Sequence, residues 1–384
     1  MRRPSGVVGH VGENDLAPDA SGRREGFKLY GNYEERFMNV IVPGRDLSLS
    51  VNLNSVVDSI VDTQRPNGDI PWCEGKKTDP WDLVESAMGL SIGGRIVEAR
   101  KAFNWLQQNQ LEDGSWYSAY MDSVPEDKTH EANMAAYIAA GQYHHYLITR
   151  DKEYLRSMWP CVKHAVDFAL SLQAPGGEIH WAKSPEGVVD PMALMTGTSS
   201  VFFSTKCALA IAEILGEKND HWRNALGLIR DSLAKRPHSY NISKSRFSMD
   251  WFYPILSGAL TGIEAQKRID KYWKKFVVEG QGVRCVSDQP WVTVAETAEF
   301  VLTLSAMGND KLARIIFGWI QDRRYDDGSY WCGFTFPDMV VWPEDKLSWT
   351  NGVVLMAADA LYDLTPASCL FSHDYWERST AIRP

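Results

Sequence analysis

The chain has no run of about eighteen consecutive apolar residues, the length a bilayer-spanning helix needs, so no membrane partner is expected. Its first residues, Met1-Arg-Arg-Pro-Ser-Gly6, lack the apolar stretch of a secretory signal. Cysteine is sparse and unpatterned. Cys73, Cys161, Cys207, Cys285, Cys332 and Cys369 show neither Cys-x-x-Cys spacing nor a histidine at zinc-ligand distance. No metal site and no cofactor are therefore expected, and reduced thiols fit a cytoplasmic enzyme. Positive charge is the minority, 40 Lys and Arg against 49 Asp and Glu. The resulting net charge of -9 argues against a nucleic-acid partner. Runs rich in β-branched residues are also scarce, Gly282–Val286 and the loop from Trp331 to Trp342 being the exceptions.

What is abundant is tryptophan and a repeat. Fifteen Trp and fifteen Tyr exceed what most chains of 384 residues carry, and large rings suit either a wide core or a cavity that stacks on sugars. The repeat is a turn, Gln110-Leu-Glu-Asp-Gly-Ser-Trp116, with the same Gln-x-x-x-Gly frame at Gln64 to Gly68 and Gln173 to Gly177. A looser copy runs from Gln321 through Asp326-Asp327-Gly328-Ser329-Tyr330-Trp331. Recurring supersecondary units fix architecture before any motif is read.

Apolar periodicity and start signals then predict about twelve helices. They cover 49–64, 79–94, 98–110, 129–149, 152–173, 190–215, 221–235, a segment opening at 248, 263–276, 291–307, 310–322 and 348–362. Even-numbered members are rich in Ala, Gly, Ser and Thr, which suits a crowded inner ring; odd-numbered members carry a charged stripe, which suits a half-solvated outer ring. The expected fold is all-α, a single (α/α)6 barrel, or toroid, of six helical hairpins. It occupies residues 26–384 behind a loose arm over 1–25.

In such a ring the loops entering the inner helices meet at one end. There the chain places Asp79-Pro-Trp81-Asp82, Thr129-His130-Glu131, Asp190-Pro-Met, Ser248-Met-Asp250-Trp251-Phe-Tyr253, Trp291 to Glu296, and Trp349-Thr-Asn351. Each acid taken singly also reads as a helix cap or first-turn charge. Collected, they describe a polar cleft with stacking walls. Two carboxylates across such a cleft are what glycoside hydrolysis requires: one protonated and donating to the leaving oxygen, the other activating water or attacking the sugar. Asp190 and Asp250 lead as catalytic candidates, with Asp82, Glu131 and Glu296 behind them. Trp81, Trp251, Trp291 and Trp349 are the stacking candidates; Asp79, His130, Tyr253 and Asn351 are hydroxyl binders. Glu344, before the last inner helix, is held in reserve.

Two resemblances sharpen the expectation. Tyr154 to Phe168, followed by Gly177-Glu-Ile-His-Trp181, resembles the outer helix and acid segment of glucoamylases and other six-hairpin glycosidases. That family has an acid just after the tryptophan, where this chain has Ala182, so Asp190 or Glu178 would have to serve. The Gln-x-x-x-Gly-x-Trp turn is similar to the repeat of squalene–hopene cyclases, where it ties helices together. The Asp-x-Asp-Asp motif of those cyclases is missing, as are the zinc ligands of protein prenyltransferases. The resemblance implies a glycoside hydrolase with a carbohydrate partner. The expected substrate is an α-linked neutral glucan or mannan, cleaved with inversion by two carboxylates. A terpene cyclase is the alternative, or a sugar lyase or epimerase using His130 or Tyr253 as base, or a non-catalytic sugar binder. Oligomeric state is left open.

Overall fold

The computed structural model describes residues 53–379. The arm expected over 1–25 and the start of the barrel region lie outside the described residues. The helices, in chain order, are α1 (Leu53–Thr63), α2 (Pro80–Ile92), α3 (Ile96–Asn109), α4 (Ala132–Ala136), α5 (Ile138–Thr149), α6 (Lys152–Ser171) and α7 (Met195–Leu215). They continue with α8 (Asp220–Lys235), α9 (Ser248–Leu256), α10 (Gly262–Phe276), α11 (Val294–Ala306), α12 (Asp310–Ile320), α13 (Ser348–Tyr362) and α14 (His373–Arg378). The expected twelve are present, the fourth in two pieces (α4 and α5), and the sequence reading did not anticipate α14.

An inner ring forms from α2, α4 with α5, α7, α9, α11 and α13, each packed on the next, and α13 returns to α2. The remaining long helices lie outside it. The closing seam depends on two glycines. A Cβ on Gly352 would fall 2.5 Å from the Glu85 carbonyl oxygen, and one on Gly89 would fall 2.8 Å from the Cα of Gly352. At 21 residues, α7 is long and apolar enough by composition to cross a membrane, yet it is an inner stave buried in the ring.

The repeated turn works as a strap between successive outer helices. In each of three copies the glutamine amide bonds its own turn and the next outer helix: Gln64 donates to the Gly68 and Glu98 carbonyls, Gln110 to those of Gly114 and Cys161, and Gln173 to those of Gly177 and Ala225. Three residues after each second acceptor lies the carbonyl against which the turn glycine packs. A Cβ on Gly68, Gly114 or Gly177 would sit 2.2 Å from the oxygen of Lys101, His164 or Leu228. All three glycines have positive φ, which ordinary residues adopt only with strain. In the fourth copy a Cβ on Gly328 would meet Ser55 Oγ on α1 at 2.2 Å, so this turn brings the last outer helix back to the first. Trp116 secures its copy by donating from Nε1 to the Leu106 carbonyl.

Between the rings' elements run short strands: β1 (Ala119–Met121), β2 (Val124–Asp127), β3 (His130–Glu131), β4 (His180–Lys183), β5 (Val189–Ala193), β6 (Val277–Val278), β7 (Gly282–Arg284), β8 (Trp291–Thr293) and β9 (Gly333–Thr335). They form antiparallel sheets ordered β1-β2, β3-β4-β5 and β6-β7-β8-β9. Three inner helices consequently begin later than their sequence signals suggest. His130-Glu131 pairs with β4, Asp190-Pro191 lies within β5, and Trp291 pairs with Thr335 of β9. In each case strand pairing satisfies the backbone outside the helix, so the helical ladder starts a few residues later.

All six inner helices direct their N-termini to the end that carries these hairpins. At the opposite end α9, nine residues long, stops short of its neighbours, and the C-terminal segment fills the space. There His373 Nε2 donates to the Ile255 carbonyl at 2.7 Å, satisfying an acceptor in the last turn of α9, and Phe371 stacks on Phe203.

Candidate active site

The site begins with the cap of α2. Asp79 has extended dihedrals, its Oδ1 accepts the Asp82 amide at 2.9 Å, and Pro80 occupies the first helical position. Because the helix has 3.6 residues per turn, Asp79, Asp82 and Glu85 fall on one face. The Trp72 indole donates to Asp79 Oδ2 at 2.9 Å, and Trp81 Nε1 donates to Glu85 Oε1 at 2.8 Å. Tyr137, at the break between α4 and α5, directs its hydroxyl to the same Glu85 oxygen and stacks on Trp81 with ring centroids 4.8 Å apart. From across the ring α11 contributes Glu296 and Glu299, again three apart. Tyr253 of α9 donates its hydroxyl to Glu299.

These acids interact with one another. Asp82, half-buried, has its carboxyl pushed well above the usual range by burial, with the charges of Asp79 and Glu85 adding to the effect. Burial raises Glu85 to about 8 against the donors from Trp81 and Tyr137, and the charges of Asp79 and Glu296 push the same way. Glu299 is raised by burial, then by Glu85 and Glu296. Glu296 differs in kind. It is buried, yet its Oε2 has no hydrogen-bond partner, which leaves an acceptor free. Glu131 joins at the mouth, its carboxyl raised by burial and by the neighbouring charge of Asp79. The arrangement holds protons on some carboxyls and a free acceptor on another, which is the division of labour that acid–base hydrolysis uses.

Of the residues singled out from sequence, Asp79, Trp81, Asp82, Glu131, Tyr253 and Glu296 come together here. Trp349, half-buried at the start of α13, meets Trp72 at 6.4 Å between ring centroids and so lies beside the Asp79 end of the cluster. Trp291 is half-buried on β8 and donates to the Trp342 carbonyl at 2.7 Å.

The structure takes the others elsewhere. Asp250 accepts the Thr196 amide and hydroxyl, at 3.1 and 2.7 Å, so it caps the first turn of neighbouring α7. Asp190 is exposed on the β4–β5 hairpin; the Trp181 indole and the Met192 amide hold its carboxyl below the usual range. His130 is fixed by Ser115 Oγ at 2.8 Å and Asp113 at 3.2 Å, inside the Gly114 turn. Trp251 is buried between the rings, stacked 4.6 Å from Phe300. Asn351 bridges the Tyr330 amide and Ser59, tying α13 to the last turn and to α1. Glu344 is exposed on its loop.

Sequence reading missed Glu85, Glu299 and Tyr137. The available signal was spacing, Asp79-x-x-Asp82-x-x-Glu85 and Glu296-x-x-Glu299, each continuing an acid already suspected by one helical turn.

A ring of helical hairpins with clustered carboxylates at one end has the groups that a glycoside hydrolase needs. Comparison with known proteins agrees. The chain is 45% identical over 313 residues to the MMP endo-(1,4)-3-O-methyl-alpha-D-mannosidase of Mycolicibacterium hassiacum, an alignment spanning 82% of this chain and 87% of that protein. It belongs to the family of that mannosidase. No family model matches. Among solved structures, the mannosylglycerate hydrolase of Thermus thermophilus, described as GH63 and in complex with glucose, superposes with a TM-score of 0.63 at 11% identity. That match covers 79% of this chain and 99% of the other. A D-mannose isomerase superposes with a TM-score of 0.59 at 10% identity, covering 81% and 96%. At such identities the two structures speak for the fold alone.

Proposed function

We propose that this chain is an endo-acting hydrolase of α-(1,4)-linked 3-O-methylmannose chains, working by inversion with Asp82 as general acid and Glu296 as general base. The observation that carries the pair is their contrast. Asp82 lies near the mouth with its proton held by burial and two neighbouring carboxylates, whereas Glu296 has a buried oxygen with no donor. The relative's activity supplies the substrate class.

In the reaction Asp82 gives its proton to the glycosidic oxygen as the C1–O bond breaks. Glu296 takes a proton from a water whose oxygen attacks C1 from the opposite face. The cycle leaves Asp82 ionised and Glu296 protonated, and proton exchange with solvent restores both. Glu85 and Glu299 lie one turn deeper, and the charge of Glu85 adds to how strongly Asp82 holds its proton. Trp349, tilted against Trp72 beside the Asp79 end of the cluster, is the ring proposed to stack on the sugar there.

The test is hydrolysis of a 3-O-methylmannose oligosaccharide by wild type, Asp82→Asn and Glu296→Gln, with folding followed by circular dichroism. Each variant should lose about a thousandfold in kcat, within the range general acid–base catalysis supplies. Proton NMR of the first-formed product should show the β anomer. Either variant retaining more than about a tenth of wild-type kcat would remove that residue from the pair.

A further inference from the structure

On the loop that leaves β9 for α13, Met339, Val340 and Trp342 are exposed, Trp342 by 58%. Three large apolar side chains facing solvent within four residues are unusual for a surface loop and mark a binding surface. The loop is also rigidly based. The Thr335 amide donates to the Val340 carbonyl at 2.9 Å, the Met339 amide to Thr335 at 2.8 Å and the Trp342 amide to Gly333 at 2.9 Å. The ring of Trp342 stands edge-on to Trp291 at 5.2 Å. Trp291 belongs to β8, which pairs with β9 and runs directly into α11, the helix of Glu296. An apolar, preorganised ledge is thus joined through one strand to the base side of the cleft. At the same end Val188 and Val189 are exposed at the β4–β5 hairpin.

We infer that this ledge is an outer subsite that selects methylated sugar units of the substrate chain; the inference rests on the hydrolase reading above. O-methylation at position 3 removes a hydroxyl donor and adds an apolar group. A wall of carboxylates and amides, suited to free hydroxyls, gains nothing from that exchange, whereas a wall of Met, Val and Trp buries the methyl. A polymer cleaved internally extends past the catalytic pair, so units several sugars from the broken bond can reach a ledge outside it. Such remote contacts bind the ground state and transition state alike, so their effect falls on KM and leaves kcat unchanged.

The experiment compares α-(1,4)-mannose chains of equal length with and without 3-O-methyl groups, using wild type, a Met339→Ser/Val340→Ser double variant and Trp342→Ala. Burying each methyl is worth about fourfold in kcat/KM, so two contacts give wild type a preference of roughly fifteenfold for the methylated chain. Both variants should collapse that preference by raising KM on the methylated chain, leaving kcat and the unmethylated chain unchanged. Persistence of the preference in both variants, or equal losses on the two chains, would overturn the inference. Equal cleavage of both chains by wild type would overturn it too and leave a mannoside hydrolase standing. Cleavage of neither would overturn the hydrolase reading along with it. A change in sedimentation on Trp342→Ala, without a change in KM, would make the ledge a self-association surface and refute the sugar subsite.

Discussion

The two ends of the barrel manage buried charge in opposite ways. At the hairpin end, where six inner helices begin, the charges drawn out of water are carboxyls: Asp79, Asp82, Glu85, Glu296 and Glu299. At the far end one carboxyl is buried, Asp359 near the end of α13, which accepts the amide and hydroxyl of Thr365, and the other buried charge is an amine. Lys206 donates to the Ser257 carbonyl at 2.8 Å, just past α9, and lies 4.5 Å from the ring of Trp376 in the C-terminal segment. Acids at helix starts and a cation beside a helix end both follow the helix dipole. The difference is in number. One cation has a carbonyl and the rings of Phe202, Phe203 and Trp376 around it, so burial is its main penalty. At the hairpin end burial raises Asp82, Glu85 and Glu299, and the charges of neighbouring carboxylates add to it. The proposed catalytic acid belongs to the crowded end, because a carboxyl that keeps its proton near neutrality is a usable acid.

The largest consequence is a pair of opposite pH slopes in stability. Glu85 titrates at about 8 in the fold against an ordinary 4.5, so the native state binds the extra proton between those values. Its stabilisation is complete below the lower value and is lost as pH rises through the upper one. Burial draws Lys206 down to about 7 from 10.5, so there the unfolded chain binds the extra proton and stability rises with pH across that window. Thermal unfolding from about pH 5 to 10 should therefore decline less steeply between the two Glu85 values in Glu85→Gln, where Asp82 and Glu299 still contribute, and should lose its alkaline rise in Lys206→Met. A rise that survives in Lys206→Met would remove the far end's half of the contrast.

A smaller effect sharpens the crowded end. Asp79→Asn keeps the cap, since an amide oxygen also accepts the Asp82 amide, but removes the charge that follows burial in holding the proton on Asp82. The alkaline limb of the kcat profile should move to lower pH. Loss of the Trp72 bond should cost only about 1 kcal/mol of stability. An unmoved limb would assign the proton hold to burial and Glu85.

The fold was readable because its determinant repeats. Gln64, Gln110 and Gln173 each bridge to the next outer helix with the same two bonds, so a local pattern encodes a long-range contact. The mouth was readable where an acid coincided with a helix start, as at Asp79, Asp82 and Glu296. Glu85 and Glu299 were not, because glutamate inside a helix is ordinarily a solvent-facing helix former. Only the ring's closure turns those positions inward. Asp250 stood out for its aromatic neighbours, Trp251 and Tyr253, but one ring faces the outer layer and the other the cleft, and its carboxylate turns to the amide of Thr196.

Asp190 is where sequence resemblance and geometry part, and it carries the smallest expected effect. Asp190-Pro191 reads as a helix start following a glucoamylase-like acid segment, whereas Val188 and Val189 favour a strand, and the strand forms. On that hairpin the carboxyl is exposed and held below the usual range by Trp181 and the Met192 amide, so it is ionised at neutral pH and has no proton to give. Asp190→Asn should change kcat by less than about twofold and stability by no more than about 0.5 kcal/mol, the ordinary surface range. A hundredfold loss in kcat with folding intact would require the hairpin to fold over the cleft and bring a second acid to the sugar. The contrast would then lie between a fixed end and a moving one, with Asp82 demoted to tuning whatever Asp190 delivers.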